Sequence, residues 1–412
     1  IFVNFINGLF EPYRKEMLDD SKNITCENIG NENITVSLLT HQKLVRDYLN
    51  LHSPYRGLLL YHGLGSGKSC SSIAIAEGMK HGKKIIVLLP ASLKRNYMEE
   101  IKKCGDLIYR KHQYWEWVAT DYNTNITNTL SSALGLSVEY INRHKGAWLV
   151  NITKSNNYIE LTSSDKKSLN EQLDEMIQNK YTFINYNGIS FKAFKAMTNN
   201  FDNNIFDNAV VIIDEAHNLI SRIVNKINEI GKKQDLCKSK TKDVDALRNN
   251  LPNSLSLIIY EYLLKAVNTR IVLLTGTPII NYPNEIGILY NLLRGYIKTW
   301  SLPLQVEPGK TLSKDNILSI FTASKTLDYV NYIPSTKTLT ITRNPYGFDN
   351  KQSNNNYKGV SNDHTELSQT AGHNAYISDT DFIKNTVTLL RKNNITAVEN
   401  GTTFRVNTAL PD

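Results

Sequence analysis

Short, uninterrupted runs of apolar residues recur between residues 57 and 274, and each run is bounded by polar or turn-forming residues. Runs of four or five residues rich in Ile, Val and Leu are typical of strands buried on both faces of a sheet. Stretches with helical spacing lie between them, and this alternation predicts an α/β fold with a parallel sheet and helices on both faces. The predicted strands are Gly57–Tyr61, Ile85–Leu89, Tyr181–Ile184, Ala209–Ile213 and Ile271–Leu274; the predicted helices are 10–18, 38–51, 71–80, 93–103, 169–177 and 255–267.

The rest of the chain departs from this pattern. Residues 105–180 are too many for one crossover and are expected to contain an insertion. The tract 350–374 is rich in Asn, Ser, Gln, Lys and Gly, which predicts loops or disorder, whereas a helix is predicted near 381–392 and a hairpin across Glu399–Gly401. We therefore expect an N-terminal helical lead (1–37), the α/β unit (38–300, insertion about 105–180) and a partly polar α+β extension (301–412).

Composition excludes several classes of protein. Of 412 residues, 41% are hydrophobic and 21% are charged, close to an average globular chain, so wholesale disorder and coiled coil are not expected. The net charge of +8 suits an anionic partner but is equally compatible with a mildly basic surface. No apolar run reaches the roughly 20 residues that span a bilayer, so no membrane association is expected.

The cysteines and the chain start point to the cellular context. Cys26, Cys70, Cys104 and Cys237 form no Cys-x-x-Cys pair, which predicts neither a disulfide framework nor a cysteine-rich zinc site. A reducing compartment, the cytoplasm, is therefore expected. The chain opens at Ile1 without Met and lacks the features of a signal peptide, so we expect an excised fragment of a longer protein.

The first chemical motif is His62-Gly-Leu-Gly-Ser-Gly-Lys-Ser69, between a predicted strand and a predicted helix. A phosphate-binding loop requires this context, because glycines let backbone N–H groups face the phosphates at a helix N-terminus. Lys68 would reach the β and γ phosphates of ATP, and the Ser69 hydroxyl would bind Mg²⁺. The strict pattern has Gly where this chain has His62, so an ordinary glycine-rich turn is the alternative. The candidate nucleotide-binding residues here are Gly63, Gly65, Ser66, Gly67, Lys68, Ser69 and Cys70.

The second motif, Asp214-Glu-Ala-His217, directly follows the buried run Ala209–Ile213. Asp214 would hold Mg²⁺ through water, and Glu215 would orient and deprotonate the attacking water. The alternative is an acidic N-cap of a helix. With Lys68, these two carboxylates are the candidate catalytic residues.

The third motif, Thr275-Gly-Thr-Pro278, ends another apolar run. Thr275, Gly276 and Thr277 could contact the carboxylates of a neighbouring strand and sense the γ phosphate, although Thr-Gly-Thr-Pro is also an ordinary turn. We assign His217 to bridging the second and third motifs. The order of the three motifs supports the hypothesis that they form one site. The distance from Lys68 to Asp214 is 146 residues and that from Asp214 to Thr275 is 61 residues, which leaves room for the intervening strands and helices.

These motifs resemble motifs I, II and III of the superfamily 2 helicases and translocases. Leu39-Thr-His-Gln42 lies 26 residues before Lys68 and resembles the Q-motif, which implies that Gln42 reads the adenine edge. The resemblance implies a RecA-like P-loop NTPase domain over 38–300, with ATP and Mg²⁺ as cofactors. It also implies contacts with a nucleic-acid backbone near Leu89–Lys94, similar to motif Ia, and Phe183–Gly188, where motifs Ib and Ic lie. The residues implied are Pro90, Ser92, Lys94, Arg95, Tyr186 and Asn187.

Flanking segments are similar to the transcription-associated helicases of large nucleocytoplasmic DNA viruses, a group that includes poxvirus early transcription factor small subunits. The segments are His41–Leu49, Asp214–Leu219 and Thr342–Phe348. This resemblance implies a place in the host cytoplasm, the viral factory or the virion, and viral RNA polymerase or transcription factors as partners. DNA and RNA remain equal alternatives as substrate, because the family contacts the sugar-phosphate backbone.

The family uses two RecA-like domains, and the second supplies arginine fingers to the ATP site. After Pro278 we find no segment of that type, so we expect this chain alone to hydrolyse ATP poorly, since such an arginine contributes roughly 10³–10⁵ in rate. Three functions remain open: a helicase or translocase, a transcription-factor ATPase that engages promoter or polymerase without unwinding, and an unrelated P-loop kinase or transporter ATPase. The three motifs together disfavour the last.

The insertion carries weaker candidates. Tyr114, Trp115 and Trp117 could stack on bases, but aromatic residues near an apolar segment more often belong to the core. Basic residues there could contact phosphates or simply form a solvated face; they are Arg110, Lys111, Arg143 and Lys145.

Overall fold

The computed structural model of the chain describes residues 2–23, 39–236, 254–361 and 378–407, apart from 54, 64, 121–122, 306–311, 322–323, 325, 345–348, 354–355 and 398–402. The α-helices are α1 Phe2–Leu9, α2 Glu11–Asn23, α3 Thr40–Asp47, α4 Lys68–Met79, α5 Lys94–Cys104, α6 Thr124–Leu134, α7 Val138–His144, α8 Ser163–Lys180, α9 Phe191–Met197, α10 Ala216–Leu236, α11 Leu255–Lys265, α12 Glu285–Arg294, α13 Lys314–Phe321 and α14 Asp379–Lys392. The strands are β1 Gly57–Tyr61, β2 Lys84–Leu89, β3 Trp115–Ala119, β4 Gly146–Val150, β5 Tyr181–Asn185, β6 Ala209–Ile213, β7 Arg270–Thr275, β8 Ile297–Gln305, β9 Leu327–Ile333, β10 Thr338–Arg343, β11 Asp349–Ser353, β12 Asn356–Ser361, β13 Thr396–Ala397 and β14 Thr403–Asn407.

The chain divides into two compact units. One consists of Glu16–Asn50 and Gly57–Leu293, and the other of Ile1–Lys15, Leu51–Arg56 and Arg294–Asp412. The first unit contains all three chemical motifs.

A five-stranded parallel sheet in the order β1-β7-β6-β2-β5 forms the centre of the first unit. The predicted buried runs supply all five strands, which confirms the predicted α/β fold with a central parallel sheet. Because the strands are parallel, their carboxyl ends meet at one edge, where Tyr61 is paired with Thr275 and Leu89 with Asn185. The three motifs therefore leave the sheet on the same side.

Helices cover both faces of this sheet. All five residues of β6 are buried, and successive side chains of a strand point to opposite faces. On one face, Val210 and Ile212 share a core with Ile73 of α4 and Ile101 of α5. Helix α10 packs against β7 and α11.

The segment 105–180, predicted to contain an insertion, includes a two-stranded antiparallel sheet, β3 with β4, and the helices α6 and α7. Gln172 of α8 fixes this sheet, because its buried amide accepts from Trp148 N–H at 2.7 Å and donates to Trp148 C=O at 2.8 Å. Trp115 is only 2% exposed and its indole N–H donates to Lys111 C=O, so it belongs to the core; Trp117 is 41% exposed.

The second unit contains an antiparallel sheet in the order β13-β8-β10-β9, with β14 also paired to β8. The predicted hairpin turn, Glu399–Gly401, lies outside the described residues; the strands described before and after it, β13 and β14, both pair with β8, with Ala397 opposite Leu304 and Thr403 opposite Ser301. One prediction is wrong here. The beginning of the polar tract 350–374 forms the β11–β12 pair, since backbone hydrogen bonds need no apolar side chains. The predicted helix near 381–392 is confirmed as α14.

The sequence predicts no disulfide framework, and a single disulfide is present among the described residues. Cys70 of α4 and Cys104 of α5 are joined by a disulfide, with their Cα atoms 5.7 Å apart. The two residues are 34 positions apart in sequence and become neighbours through the packing of α4 on α5. Cys26 and Cys237 lie outside the described residues. None of the helices in the described part of the chain combines the length and apolar character that a membrane crossing requires.

Candidate functional site

The glycine-rich loop after β1 has the backbone shape of a phosphate-binding loop. Gly65 and Gly67 have φ values of 78° and 75°, in the left-handed region that favours glycine. Gly67 caps the N-terminus of α4, and Ser66 Oγ closes the loop by donating to Gly63 C=O at 2.8 Å. The α4 N-terminus therefore faces the loop, which is the arrangement that binds anions.

The side chain of Lys68, the first residue of α4, contacts this loop. Its ammonium donates to the carbonyl oxygens of His62 and Gly63 at 2.9 and 3.0 Å. His62, the departure from the strict pattern, has a buried Nδ1 atom for which the described residues offer no hydrogen-bond partner. Burial, and then the positive charges of His41 and Lys68, lower the pKa of His62 below its ordinary value. A neutral, unpartnered imidazole nitrogen therefore lies beside the loop.

Two residues of α3, His41 and Gln42, contact the backbone of the glycine-rich loop. Gln42 is 5% exposed; its Nε2 donates to Gly67 C=O at 3.3 Å and its Oε1 accepts from Leu39 N–H at 3.1 Å. His41 Nε2 lies 3.1 Å from the Ser66 carbonyl oxygen. A Cβ atom on Gly67 would come within 2.5 Å of Gln42 Nε2 and would displace that amide, whereas the φ of 75° is what favours glycine here. Gln42 thus contacts the phosphate loop.

The second motif begins where β6 leaves the sheet. Asp214 N–H donates to Leu88 C=O at 2.8 Å, and Asp214 Oδ1 accepts from Glu215 N–H at 3.0 Å. Burial raises the pKa of Asp214 to about 6; the Glu215 N–H opposes this rise, the charge of Glu215 adds to it and Lys68 opposes it. Glu215 has a φ of 48°, an uncommon conformation for a residue other than glycine. A half-buried carboxylate, Asp214, and a residue with an uncommon backbone conformation, Glu215, are therefore adjacent at this strand end.

The third motif contacts the second through His217. The Nδ1 atom of His217 lies 2.9 Å from Thr275 Oγ1, 3.4 Å from Thr277 Oγ1 and 3.4 Å from Glu215 Oε2. Thr275 is fully buried, and its hydroxyl also accepts from Thr277 N–H at 3.0 Å. A Cβ atom on Gly276 would lie 3.9 Å from Lys68 Nζ, so this glycine is close to the phosphate loop. The structure thus brings the predicted coupling residues together.

Two residues near the third motif were missed in the sequence. Glu285 is fully buried and its Oε2 accepts from Ile280 N–H and Asn281 N–H at 2.7 and 3.2 Å. Asn281 Nδ2 donates to Ser221 Oγ of α10 at 2.6 Å, which ties the segment after the third motif to the helix after the second. Glu285 lies in the first turn of α12, where an acidic residue is favoured by the helix dipole, so no sequence pattern distinguishes it from an ordinary helix start.

The residues predicted to contact nucleic acid follow two neighbouring strands: Pro90 and Ser92 lie between β2 and α5, Lys94 and Arg95 begin α5, and Tyr186 and Asn187 follow β5. Ser92, Arg95 and Asn187 are exposed, while Pro90 and Lys94 are half-buried, with Lys94 Nζ 5.4 Å from the centre of the Phe183 ring. Tyr186 differs from the prediction. It is 5% exposed and its hydroxyl lies 3.1 Å from the carbonyl oxygens of Asp214 and Glu215, because its side chain points into the unit and not towards solvent.

The donor set at this edge fits a magnesium nucleotide. Ser69 offers a hydroxyl and Asp214 a carboxylate, the oxygen ligands that Mg²⁺ prefers. Lys68 and the α4 N-terminus supply the positive charge that phosphates require.

Comparison with known proteins gives related viral helicases. No protein-family model matches the chain. The chain is similar to two proteins of Acanthamoeba polyphaga mimivirus that are assigned by name as ATP-dependent RNA helicases. One is 29% identical over 254 residues, which are 61% of this chain and 32% of the relative. The other is 27% identical over 304 residues, 71% of this chain and 27% of the relative.

A further relative is the "Termination factor NPH-I homolog" of African swine fever virus, 23% identical over 252 residues, or 61% of this chain and 24% of the relative. The chain therefore spans about a third or less of the length of these relatives. Among solved structures it is similar to the Sulfolobus solfataricus SWI2/SNF2 ATPase core in complex with dsDNA, with a TM-score of 0.29 and 14% identity over 70% of this chain and 40% of that chain. The sequence relatives confirm the resemblance to the helicases of large DNA viruses.

Proposed function

We propose that this chain is the ATP-binding half of an ATP-dependent nucleic-acid helicase or translocase, which hydrolyses ATP to move on or unwind DNA or RNA. One observation carries the proposal: Asp214 follows β6, Thr275 ends β7 and the loop that leads to Lys68 follows β1, and these neighbouring strands all end at the carboxyl edge of one parallel sheet. Ligands of open α/β sheets bind at this edge. The names of the viral relatives support the same activity.

Each side chain has a role in the proposed reaction. Lys68 would exchange the carbonyl oxygens of His62 and Gly63 for the β and γ phosphates. Ser69 and Asp214 would hold Mg²⁺, which when bound neutralises charge that develops on the phosphates. Glu215 would orient the attacking water and accept its proton.

The remaining candidates would connect this reaction to the nucleic acid. His217 and Thr275 would report the state of the nucleotide between the second and third motifs, through their 2.9 Å contact. Arg95, in the exposed first turn of α5, and Asn187, on the exposed loop after β5, would contact the phosphate backbone. A basic chain with a net charge of +8 suits this anionic partner.

A second function is favoured by one specific relative. The African swine fever virus relative is named as a termination factor homolog, which supports a transcription ATPase that acts on polymerase or promoter without separating strands. In that case viral RNA polymerase or a transcription factor is the partner. Both functions use the same ATP site.

Two substitutions in the full-length protein test the site. Glu215→Gln should lower ATP turnover roughly 10²–10⁴-fold while nucleotide still binds, because general base catalysis contributes that much. Lys68→Ala should abolish turnover and weaken nucleotide binding as well. Lys103→Ala is the control, since this lysine is 61% exposed on α5 and pairs only with Glu100 among the contacts described for it. Undiminished turnover in both site variants would refute the assignment.

Strand separation distinguishes the two functions. The full-length protein is incubated with ATP and duplexes that carry single-stranded tails, of DNA and of RNA. A helicase releases the displaced strand in an ATP-dependent manner. Hydrolysis that is stimulated by nucleic acid without strand release would reject unwinding and favour the transcription ATPase.

A further inference from the structure

Tyr186 lies between the loop that is expected to meet nucleic acid and the motif that is expected to hydrolyse ATP. We infer that Tyr186 is a positioning residue whose hydroxyl holds the Asp214–Glu215 turn and couples it to the loop at Asn187. The inference rests on the proposed function, because it concerns how nucleic acid controls the same ATP site. It replaces the predicted role of Tyr186 as a direct nucleic-acid contact.

The Tyr186 hydroxyl contacts the backbone of the second motif, and it also has a side-chain hydrogen bond with Asn218 of α10. The Tyr186 hydroxyl lies 3.1 Å from both Asp214 C=O and Glu215 C=O, so its one proton is shared between two carbonyl oxygens. Burial, and then the negative charge of Asp214, raise the pKa of Tyr186 above its ordinary value, so the hydroxyl keeps its proton at neutral pH. The phenol is therefore a permanent donor to this turn.

The turn needs such support because of its conformation. Glu215 adopts a φ of 48°, which side chains with a Cβ atom rarely adopt. Its neighbours fix it from two other sides: Asp214 N–H donates to Leu88 C=O, and Asn218 N–H donates to Glu215 C=O at 2.9 Å. The hydroxyl of Tyr186, the residue that follows β5, adds a third support. A residue keeps an uncommon backbone conformation only where surrounding contacts enforce it, and such residues cluster at functional sites.

Tyr186 is joined directly to the exposed loop. Asn187 and Gly188 follow it and are exposed, while the N–H groups of Gly188 and Ile189 donate to Asn185 C=O at 3.0 and 2.8 Å. This tight turn leaves one peptide between the buried phenol and the loop surface. A displacement of Asn187 by a bound phosphate backbone would therefore move the Tyr186 hydroxyl, and with it the carbonyl groups that orient Glu215.

Tyr97 provides a matched control. It is 2% exposed, lies in the same unit, and its hydroxyl contacts Ser72 Oγ at 2.8 Å. Tyr97→Phe removes a buried tyrosine hydroxyl without removing a hydrogen bond to the second motif. A loss of activity caused only by weakened packing would appear equally in Tyr97→Phe and Tyr186→Phe.

The kinetic experiment measures ATP turnover by the full-length protein with and without saturating single-stranded oligonucleotide, as DNA and as RNA. Tyr186→Phe should lower the stimulated kcat roughly five-fold or more, the usual scale of coupling between two sites, with an unchanged KM for ATP. Oligonucleotide affinity, measured by fluorescence anisotropy without nucleotide, should be unchanged because Tyr186 is buried. Tyr97→Phe should match the unsubstituted protein.

Three results overturn the inference while leaving the proposed function intact. These are unchanged stimulation in Tyr186→Phe, equal losses in both tyrosine variants, and weaker oligonucleotide binding with a normal kcat at saturation, which would indicate direct contact. Absence of ATP turnover in the unsubstituted protein would instead refute the proposed function.

Hydrogen exchange of the nucleotide-free protein tests the contact independently of turnover. Tyr186→Phe should speed exchange of the amides at residues 215–218, and Tyr97→Phe should not. Unchanged exchange at this turn in Tyr186→Phe would overturn the inference whether or not the protein hydrolyses ATP.

Discussion

Replacing Asp214 by Asn should make the protein more stable at neutral pH while it loses ATP hydrolysis. Asp214 is largely buried at the end of β6, and burial raises its pKa to about 6 from the ordinary value of 3.8. The folded protein is therefore destabilised by keeping this carboxylate charged at neutral pH. Asparagine has the same shape and no charge, and its Oδ1 can still accept from Glu215 N–H, which is 3.0 Å away in the unsubstituted protein.

The magnitude follows from the difference between the two pKa values. From 3.8 to about 6 is a shift of about 2.2, and at ~1.36 kcal/mol for each pH unit this corresponds to at most ~3 kcal/mol. Because the folded pKa is the higher one, the stability that protonated Asp214 contributes is fully present below pH 3.8 and is lost as the pH rises through about 6. Asp214→Asn should therefore equal the unsubstituted protein near pH 4 and exceed it by up to ~3 kcal/mol above pH 7.

The assay is urea unfolding at several pH values in the presence of a chelator, followed by the fluorescence of the buried Trp115 and Trp148. Asp202→Asn, at an exposed carboxylate, is the control and should show no such pH-dependent gain. Adding Mg²⁺ and a nucleotide analogue should stabilise the unsubstituted protein and not Asp214→Asn. A stability difference that does not change with pH, or a destabilised variant at pH 7.5, would contradict the reasoning.

Two further predictions concern stability. Cys104→Ser should lower the free energy of unfolding by ~3–4 kcal/mol without reductant and leave it nearly unchanged with reductant, because the disulfide to Cys70 closes a loop of 34 residues; alkylation that finds both thiols free in the protein without reductant would contradict it. Lys102 is buried and pairs with Glu99 at 3.0 Å and Asp174 at 2.7 Å, whose side chains are 40% and 41% exposed. In urea unfolding, the stability of Lys102→Met should therefore lie within ~1 kcal/mol of that of the unsubstituted protein. The double variant Glu99→Gln, Asp174→Asn should be less stable by ~3–5 kcal/mol, because only this variant leaves the buried charge of Lys102 unpaired. The opposite ranking would reject this account.

The sheet and the ends of its strands could be predicted from the sequence for a physical reason. Parallel strands covered on both faces need apolar side chains at every position, so β6 and β7 are visible as continuous apolar runs. Parallel strands also bring their carboxyl ends together, so a motif that follows each run must lie at one edge. Lys68, Asp214 and Thr275 required no further information to be assigned to the same site.

Contacts that arise from packing could not be predicted in this way. Nothing in the spacing of Cys70 and Cys104 indicates that α4 and α5 bring them together. Tyr186 is next to Asn187, and no periodicity distinguishes the buried residue from the exposed one in a loop of this kind. Strands β13 and β14 both pair with β8, which lies about 100 residues earlier in the chain, and local sequence does not reveal such a distant partner.

The region around Asp214 and Glu215 has unusual physical properties that would mark it as a candidate site even if its sequence motif were not recognised. Asp214 is a carboxylate whose burial raises its pKa, Glu215 has a positive φ, and His62 nearby has a buried nitrogen without a partner among the described residues. Each feature lowers stability, and local rules of folding are violated chiefly where function requires it. A magnesium nucleotide would relieve the largest of these costs, because a cation beside Asp214 favours its charged form. Binding of the magnesium nucleotide is therefore expected to stabilise the second motif. Tyr186, which precedes this motif in the chain, and Thr275, which follows it, both contact it through side-chain hydroxyls.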